Sequence, residues 1–361
     1  MIPRQLLQPT AEGLWCETGG FHVDPWRPVE TAVVTHAHAD HATPGCGRYI
    51  ASPNTLEIMR VRFDRDLEGE PLEWSERRDL GECRISLHPA GHVLGSSQVR
   101  IERDDEVWCV TGDYKREPDD SCEPFELVEC DTLLTESTFG LPIYAWPDPR
   151  EVLESINSWW RSNVEAGRTT ILLAYAFGKA QRLLAGLDPS IGPIGIHGAL
   201  RGPTEVYREA GIQLPPTMPA DRSTAPELAG RGVVVCPPSA TGTPWIRRFD
   251  GSGGMRLASV SGWMQVRGRR RWRSVDRGFV LSDHADWSGL LRTIQECGAR
   301  RIGVTHGFSR ALARYLREEE GLDSFEVPTR YVGESPPEGS GTEPTTEEHP
   351  AGDVVAEDDR T

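Results

Sequence analysis

Four potential metal ligands lie within six residues near the start of the chain, in the run His36-Ala37-His38-Ala39-Asp40-His41. Imidazole nitrogens and carboxylate oxygens are ligands that zinc and manganese accept readily. The sequence contains ten histidines in all, so three of them in one short run are improbable as a chance arrangement. The run therefore predicts part of a metal-binding site, and a metal-free histidine cluster at a helix start is the less favoured alternative.

The remaining ligands of such a site must come from distant segments, and five polar residues stand out by their local setting. They are His92, Asp113, Glu136, His284 and His306. Short apolar runs typical of buried strands end at or next to most of them, at positions 32–35, 107–111, 132–135, 279–282 and 302–305. Because side chains beyond the carboxyl ends of several strands converge at one edge of a sheet, we expect these residues to meet in a single site.

These motifs resemble those of the metallo-β-lactamase superfamily: the HxHxDH run, a later histidine, the aspartate of a Thr-Gly-Asp triplet and a final histidine. The segments TESTFG around Glu136 and SDHAD around His284 resemble additional motifs of its β-CASP nuclease branch. Within that branch, the stretches ESTFGLPIYAWP, GKAQRLL and GFVLSDHADW are most similar to bacterial DNA-ligase-associated exonucleases. The resemblance covers about residues 1–335. It implies an α/β fold, a metallo-β-lactamase αββα sandwich with an inserted α/β β-CASP cap domain.

By this resemblance, seven residues hold two divalent metal ions, zinc or manganese. The first metal is held by His36, His38 and His92, the second by Asp40, His41 and His306, and Asp113 bridges both. Two metals about 3.5–4 Å apart can stabilise both the attacking and the leaving oxygen of a phosphodiester. The shared carboxylate of Asp113 partly neutralises two such dications. Asp40 and Asp113 are both expected to be catalytic residues as well as ligands.

The resemblance also assigns roles to three residues that hold no metal. His284 is expected to be the general acid that protonates the leaving oxygen, and Glu136 is expected to orient and charge it. Asp24, in the segment HVDPWRP, is expected to hydrogen-bond a ligand imidazole. The alternative for Asp24 is a turn residue before Pro25.

The centre of the chain has the pattern of a separate α/β unit. Predicted strands at 169–177, 193–197 and 232–236 alternate with predicted helices that begin at 178 and 203, which implies a mostly parallel sheet. The resemblance places Glu136 and His284 in one site although they are 148 positions apart, so this unit must be an insertion. We expect the metallo-β-lactamase domain at 1–145 and 265–333, the cap at 146–264, and an acidic disordered tail at 334–361. That tail contains nine acidic residues and one arginine, half of the net charge of −16.

A basic stretch stands out in this acidic chain. Nine arginines lie between positions 247 and 277, with Trp263 and Trp272 among them. Guanidinium groups bind phosphates and aromatic rings stack on bases, although a solvated surface is an equally good alternative. Lys179 at a helix start could also hold a phosphate, but the GxxxxGK[ST] spacing of a phosphate-binding loop is missing. The candidate nucleic-acid contacts are Lys179, Arg247, Arg248, Arg269, Arg270 and Arg271.

The resemblance implies a metal-dependent exonuclease that hydrolyses single-stranded DNA in DNA repair and acts with a DNA ligase. An RNA-processing β-CASP ribonuclease is the first alternative. His306 is also present in RNA-cleaving members of the branch, whereas eukaryotic DNA-repair members typically have valine there. A metallohydrolase of acyl or thioester substrates and a nonenzymatic binding subunit are further alternatives. The His284 motif argues against the former, and the complete ligand set argues against the latter.

The composition favours a cytoplasmic protein without a membrane partner. No apolar stretch is long enough to span a bilayer, and the first residues lack the apolar region of a signal peptide. The eight cysteines are scattered and form no CxxC pair, which favours reduced thiols.

Overall fold

The computed structural model describes residues 5–63, 65–266 and 275–330, so the acidic tail predicted at 334–361 lies outside the described residues. Within these ranges the chain forms three β-sheets, seven α-helices and three short 3₁₀ helices. None of these helices has the length and hydrophobicity needed to cross a bilayer.

The first sheet is built from the amino-terminal segment, and its six strands lie in chain order. They are β1 (Gln8–Pro9), β2 (Leu14–Cys16), β3 (Phe21–Val23), β4 (Thr31–Val33), β5 (Arg48–Ala51) and β6 (Gly69–Pro71). The strands β1 to β3 are antiparallel, and β3 to β6 are parallel. Helix α1 (Pro53–Arg62) connects β5 to β6, and the Ser52 hydroxyl caps it by accepting the Thr55 N–H.

The chain then forms five of the seven strands of the second sheet. They are β7 (Arg78–Leu80), β8 (Cys83–Pro89), β9 (Ser97–Arg103), β10 (Glu106–Val110) and β11 (Thr132–Glu136). The strands β7 to β10 are antiparallel, whereas β11 pairs parallel to β10. Alternate side chains such as Ile85, Val99 and Trp108 form one buried core with Val33 and Ile50 of the first sheet.

A third sheet follows in the chain, and all of its strands are parallel. Its strands are β12 (Thr169–Leu173), β13 (Ile194–Ile196), β14 (Met218–Pro219), β15 (Val233–Cys236), β16 (Met255–Val260) and β17 (Arg277–Phe279), in the order β14-β13-β15-β12-β16-β17. The helices are α2 (Pro149–Glu165), α3 (Lys179–Ala185), α4 (Gly198–Glu209) and α5 (Ala225–Leu228), and the 3₁₀ helices are Pro238–Ala240, Ile246–Phe249 and Gly262–Gln265. We call residues 149–279 the inserted unit.

Two details of this unit differ from the sequence analysis. The strand predicted at 279–282 ends at Phe279 and pairs with β16, so the third sheet extends past position 264. Helix α4 begins at Gly198 rather than at Pro203. The His197 side chain accepts the Ala199 N–H and caps the helix there, which leaves Pro203 inside the helix.

After the inserted unit the chain returns to the second sheet with α6 (Trp287–Glu296), β18 (Arg301–Thr305), α7 (Ser309–Glu318) and β19 (Asp323–Glu326). The strand β18 lies parallel to β11, and β19 lies parallel to β18. Leu290 of α6 and Leu312 of α7 share a buried cluster with Leu133 and Ile302 of the second sheet. Helix α1 packs on the outer face of the first sheet. Two facing sheets with helices outside confirm the predicted αββα sandwich.

Candidate two-metal active site

The predicted site residues lie where strands of three sheets end. The strand β4 of the first sheet precedes His36, while β10 and β18 of the second precede Asp113 and His306. His284 follows β17 of the third sheet. The expectation that one sheet edge carries all of them is therefore wrong, because the two sheets of the sandwich and the end of the inserted unit each contribute.

A glycine sets how closely the two halves of the sandwich approach here. Gly112 has a φ of 55°, and a Cβ on it would lie 2.6 Å from Thr35 Oγ1. The loop that carries Asp113 therefore packs directly on the residue that precedes His36. This contact brings Asp113 to the histidine run.

Three histidines and one aspartate form the first cluster. His38 Nδ1 lies 3.0 Å from His36 Nε2 and 3.1 Å from His92 Nε2. Asp113 Oδ2 is 3.5 Å from His36 Nε2 and 3.8 Å from His92 Nε2. The four side chains thus direct one ligand atom each toward a common point, within 4.8 Å of one another.

The opposite ring nitrogens of these histidines are held by the surrounding protein. His36 Nδ1 lies 3.1 Å from Thr35 Oγ1, and His92 Nδ1 lies 2.8 Å from the carbonyl of Asp283. His38 Nε2 lies 3.2 Å from the carbonyl of Phe177, in the inserted unit. Such contacts fix the orientation and tautomer of a metal-binding imidazole. Neither carbonyl contact was predicted from the sequence.

The second cluster contains Asp40, His41 and His306, whose ligand atoms also lie within 4.8 Å of one another. His41 Nε2 is 3.7 Å from Asp40 Oδ2 and 3.4 Å from Asp113 Oδ2, so Asp113 stands between the two clusters. Asp24 lies behind this cluster. Its Oδ2 is 2.7 Å from His41 Nδ1, and its carboxylate also accepts the N–H and the hydroxyl of Thr35.

Buried nitrogens without partners test whether these clusters suit a cation. Among the residues that the structure describes, His41 Nε2 and both ring nitrogens of His306 are buried and lack a hydrogen-bond partner. Leaving such groups unpaired is costly, and a metal ion would satisfy His41 Nε2 and one of the two ring nitrogens of His306. The donor set of nitrogens and carboxylate oxygens, joined by Asp113, therefore fits two divalent cations.

The charges of the clusters agree with this fit. Burial holds the pKa values of His36 and His92 well below the ordinary value, so both are neutral, as metal binding requires. Burial opposes protonation of His41 too, but Asp113, Asp40 and Asp24 outweigh it and hold the pKa of His41 well above its ordinary value. Asp113 remains ionised, because His41 and His284 overcome the effect of burial and hold its pKa well below the usual range. The second cluster thus has an excess of negative charge that a cation would balance.

A third group, His284 with Glu136, lies beside the clusters. His284 Nδ1 is 3.0 Å from Glu136 Oε1 and 2.9 Å from Oε2, and Oε1 also accepts the Tyr114 N–H at 2.8 Å. Burial disfavours the imidazolium, but Glu136 and Asp113 outweigh this and raise the pKa of His284 to about 9. The indole of Trp146 donates to the His284 carbonyl at 2.8 Å. A protonated imidazole held in this way can donate a proton.

The distances among Asp113, Glu136 and His284 would also admit a cation. Glu136 already accepts from Tyr114 and His284, however, and its side chain is only 1% exposed. His284 directs its Nδ1 at that carboxylate. We therefore read this group as a buried acid–base pair rather than a third metal site.

Lys179 does not lie where a nucleic-acid contact requires it. Its ammonium is 3.2 Å from Asp283 Oδ2, and the side chain is only 7% exposed. Arg182 approaches the same carboxylate at 3.4 Å and also lies 3.1 Å from Asp119 Oδ2. The prediction for Lys179 as a phosphate contact is corrected, because Asp283, next to His284, holds the ammonium in a buried ion pair.

The basic stretch is described only in part. Arg247 and Arg248 lie in the 3₁₀ helix Ile246–Phe249, where both side chains are exposed. Arg269, Arg270 and Arg271 lie outside the described residues. The assignment of these arginines to nucleic-acid binding stays a prediction.

No family model matches the chain. A probable DNA ligase of Opitutus terrae is 32% identical over 320 residues, which cover 88% of this chain and 30% of that protein. Cleavage and polyadenylation specificity factor 73 of Drosophila melanogaster is 30% identical over 185 residues, which cover 46% of this chain and 27% of that protein. An RNase J-like protein of Methanocaldococcus jannaschii is 26% identical over 233 residues, which cover 54% of this chain and 53% of that protein.

The chain therefore spans between about a quarter and a half of the length of these relatives. A crystal structure of a protein of unknown function from Enterococcus faecalis V583 is similar in fold. Its TM-score is 0.54 at 12% identity, and the match covers 84% of this chain and 80% of that chain. The ligand clusters, the sandwich fold and these relatives agree with one another. The chain belongs to the β-CASP branch of the metallo-β-lactamase superfamily.

Proposed function

We propose that this protein is a metal-dependent nuclease that hydrolyses phosphodiester bonds. The observation that carries the proposal is the arrangement of two ligand clusters joined by Asp113, with the His284–Glu136 pair beside them. A phosphodiester expels an alkoxide that benefits from such a proton donor, whereas a thioester expels a thiolate that needs little protonation. The relatives named for nucleic-acid processing support the same reaction class.

In this proposal, His36, His38 and His92 hold one divalent cation, and Asp40, His41 and His306 hold the other. Asp113 faces both. When bound, the cations supply Lewis-acid stabilisation of the phosphate oxygens. Asp24 keeps the His41 ring in place through Nδ1, at 2.7 Å. His284 donates the proton to the leaving oxygen, and Glu136 keeps its imidazole charged and oriented.

We also propose that the inserted unit is the β-CASP cap, with the catalytic domain formed by the segments before and after it. The last strand of the third sheet ends at Phe279, so the proposed cap runs from about 146 to 279 rather than to 264. Phe177 of this unit contacts His38, and Lys179 contacts Asp283. A strand of nucleic acid would lie in the cleft between this unit and the sandwich.

For the substrate we favour single-stranded DNA, cleaved by an exonuclease in DNA repair that acts with a DNA ligase. The support is the similarity along 88% of this chain to part of a protein named as a probable DNA ligase. The alternative is an RNA-processing enzyme, which the similarity to an RNase J-like protein favours. Zinc and manganese are both proposed as metals. We propose a cytoplasmic location, since all eight cysteines are free.

Incubation of the purified protein with end-labelled single-stranded DNA and RNA, in manganese or in zinc, tests this function. Cleavage should require added metal, stop with EDTA and be absent from Asp113→Ala. A panel of thioester substrates is the matched comparison. Thioester hydrolysis without cleavage of either nucleic acid would overturn the proposal, and cleavage of RNA alone would replace DNA with RNA as the substrate.

A further inference from the structure

Arg62 is the last residue of α1 and lies where the sandwich meets the inserted unit. Helix α1 contacts α4 of that unit. The fit is close, since a Cβ on Gly202 of α4 would lie 2.4 Å from Cγ1 of Val61. Arg62 therefore lies close to the contact, here called the seam, between α1 of the sandwich and α4 of the inserted unit.

One nitrogen of the partly buried Arg62 guanidinium has no partner in the described part of the chain. This nitrogen is Nη1, which is itself buried. The described residues also place no carboxylate within ion-pairing distance of Arg62, and the guanidinium carbon lies 5.4 Å from the centre of the Phe63 ring. Arg60, two residues earlier, is instead paired with Glu57 at 2.5 Å and donates to the Leu67 carbonyl at 3.2 Å.

The charge of Arg62 acts on the metal clusters. Burial lowers the pKa of Arg62, and the negative charge of Asp40 partly offsets this. Burial lowers the pKa of His38, Asp40 and Asp113 oppose this, and the positive charge of Arg62 adds a smaller lowering effect. Asp40 and His38 belong to different clusters. Arg62 is therefore near enough to sense both, although it binds neither.

A buried guanidinium nitrogen without a partner carries an energetic cost that something must offset. Packing alone does not require the charge, because an uncharged side chain would fill the same seam. A phosphate is the partner that a planar guanidinium binds best, through two parallel N–H···O bonds. In a cleft beside two metal clusters, a phosphate of the substrate strand is such a partner.

We propose that Arg62 binds a phosphate of the nucleic-acid strand next to the metal clusters, at the seam between the sandwich and the inserted unit. This inference rests on the proposed nuclease function and adds a substrate contact to it. Arg62 contributes binding of the strand, whereas His284 and the two clusters contribute the chemistry.

The test compares Arg62→Gln with Arg60→Gln, which removes the same charge from the same turn of α1. Binding of a fluorescent single-stranded oligonucleotide is measured in EDTA, over a series of salt concentrations, with and without a 5′-phosphate. Arg62→Gln should weaken binding about tenfold, as expected for one charge-assisted contact, and should lower the salt slope by about 0.7. Arg60→Gln should change the affinity less than about twofold, because Arg60 is already paired.

Thermal unfolding separates this role from a structural one. Removal of an unpaired buried charge should leave the melting temperature of Arg62→Gln unchanged or higher. Arg62→Lys, which keeps the charge, should fold normally and bind at an intermediate level. Weaker binding to both oligonucleotides indicates an internal phosphate, and weaker binding only to the phosphorylated one indicates a terminal phosphate.

An affinity of Arg62→Gln equal to that of Arg60→Gln would overturn the inference, whatever the melting temperature. In that case, binding and cleavage of nucleic acid by the wild-type protein would still support the proposed function. If the wild-type protein bound neither DNA nor RNA, the proposed function itself would fail.

Discussion

Replacing His284 with alanine tests whether different residues carry the chemistry and the metal binding. His284 Nδ1 lies 2.9 Å from Glu136 Oε2 but 4.0 Å from Asp113 Oδ2, and His284 belongs to neither ligand cluster. The variant should therefore keep two metals per chain. Its cleavage rate should fall by roughly 10²–10⁴-fold, the usual contribution of a general acid. That loss corresponds to about 3–5 kcal/mol of transition-state stabilisation.

The same change has a second, separable effect on stability. Without His284, the Glu136 carboxylate stays buried, and the hydrogen bonds left to it within the described residues come from the Tyr114 N–H at 2.8 Å and the Thr138 N–H at 3.4 Å. Removing one partner of a buried charge pair costs about 3–5 kcal/mol of unfolding free energy. The double variant with Glu136→Gln should recover part of this stability, because no charge is left unpaired, and should recover none of the rate.

The assay uses two substrates and one comparison variant. A phosphorothiolate substrate has a thiolate leaving group that needs little protonation, so it should restore much of the rate of His284→Ala. His306→Ala should instead lose metal and gain little from that substrate. Metal content and both rates are measured for each variant. Metal loss from His284→Ala, or no gain with the phosphorothiolate, would show that His284 is a ligand or a structural residue.

Three further predictions concern the bridge, the buried ion pairs and the tail. Asp113→Ala should abolish cleavage and lower the metal content while the fold persists, and EDTA should lower the melting temperature of the wild type but change that of the variant less. Burial opposes ionisation of Asp119, but Lys115 and Arg182 outweigh it and lower its pKa. Its stabilising effect is therefore present above the ordinary carboxyl pKa of about 3.9 and lost as the pH falls through the lowered value. Denaturant unfolding should show Asp119→Asn about 3 kcal/mol less stable at pH 7, with a smaller difference in acid. Deletion of residues 334–361 should leave activity and melting temperature nearly unchanged, and a large drop in either would contradict the acidic, apolar-poor composition on which we base this.

The site residues that could be predicted from the sequence are those whose type and position after a strand carry the information. His36, His92, Asp113 and His306 each lie in a short polar segment beyond an apolar run or in a tight turn, and the structure brings them together. The sandwich could be predicted because its motifs resemble a known family. The sheet edge to which each strand end belongs could not be predicted, because pairing between distant strands leaves no local pattern in the sequence.

The contacts made by the backbone could not be predicted for a related reason. The carbonyls of Phe177 and Asp283 hold His38 and His92, but a carbonyl is present at every position and gives no signal in the sequence. Lys179 was misjudged because a lysine at a helix start is the same in sequence whether it faces solvent or Asp283. Only the fold decides between the two.

The contact between Phe177 and His38 couples the position of the inserted unit to the orientation of a proposed metal ligand. Gly178 lies so close that a Cβ on it would be 2.2 Å from Val93 Cγ1 and 3.8 Å from His38 Nε2, so this segment cannot swing away without freeing the imidazole. Thermodynamic linkage is reciprocal. If this segment stabilises the His38 orientation that binds a cation, then a bound cation would stabilise the present position of the segment by the same free energy.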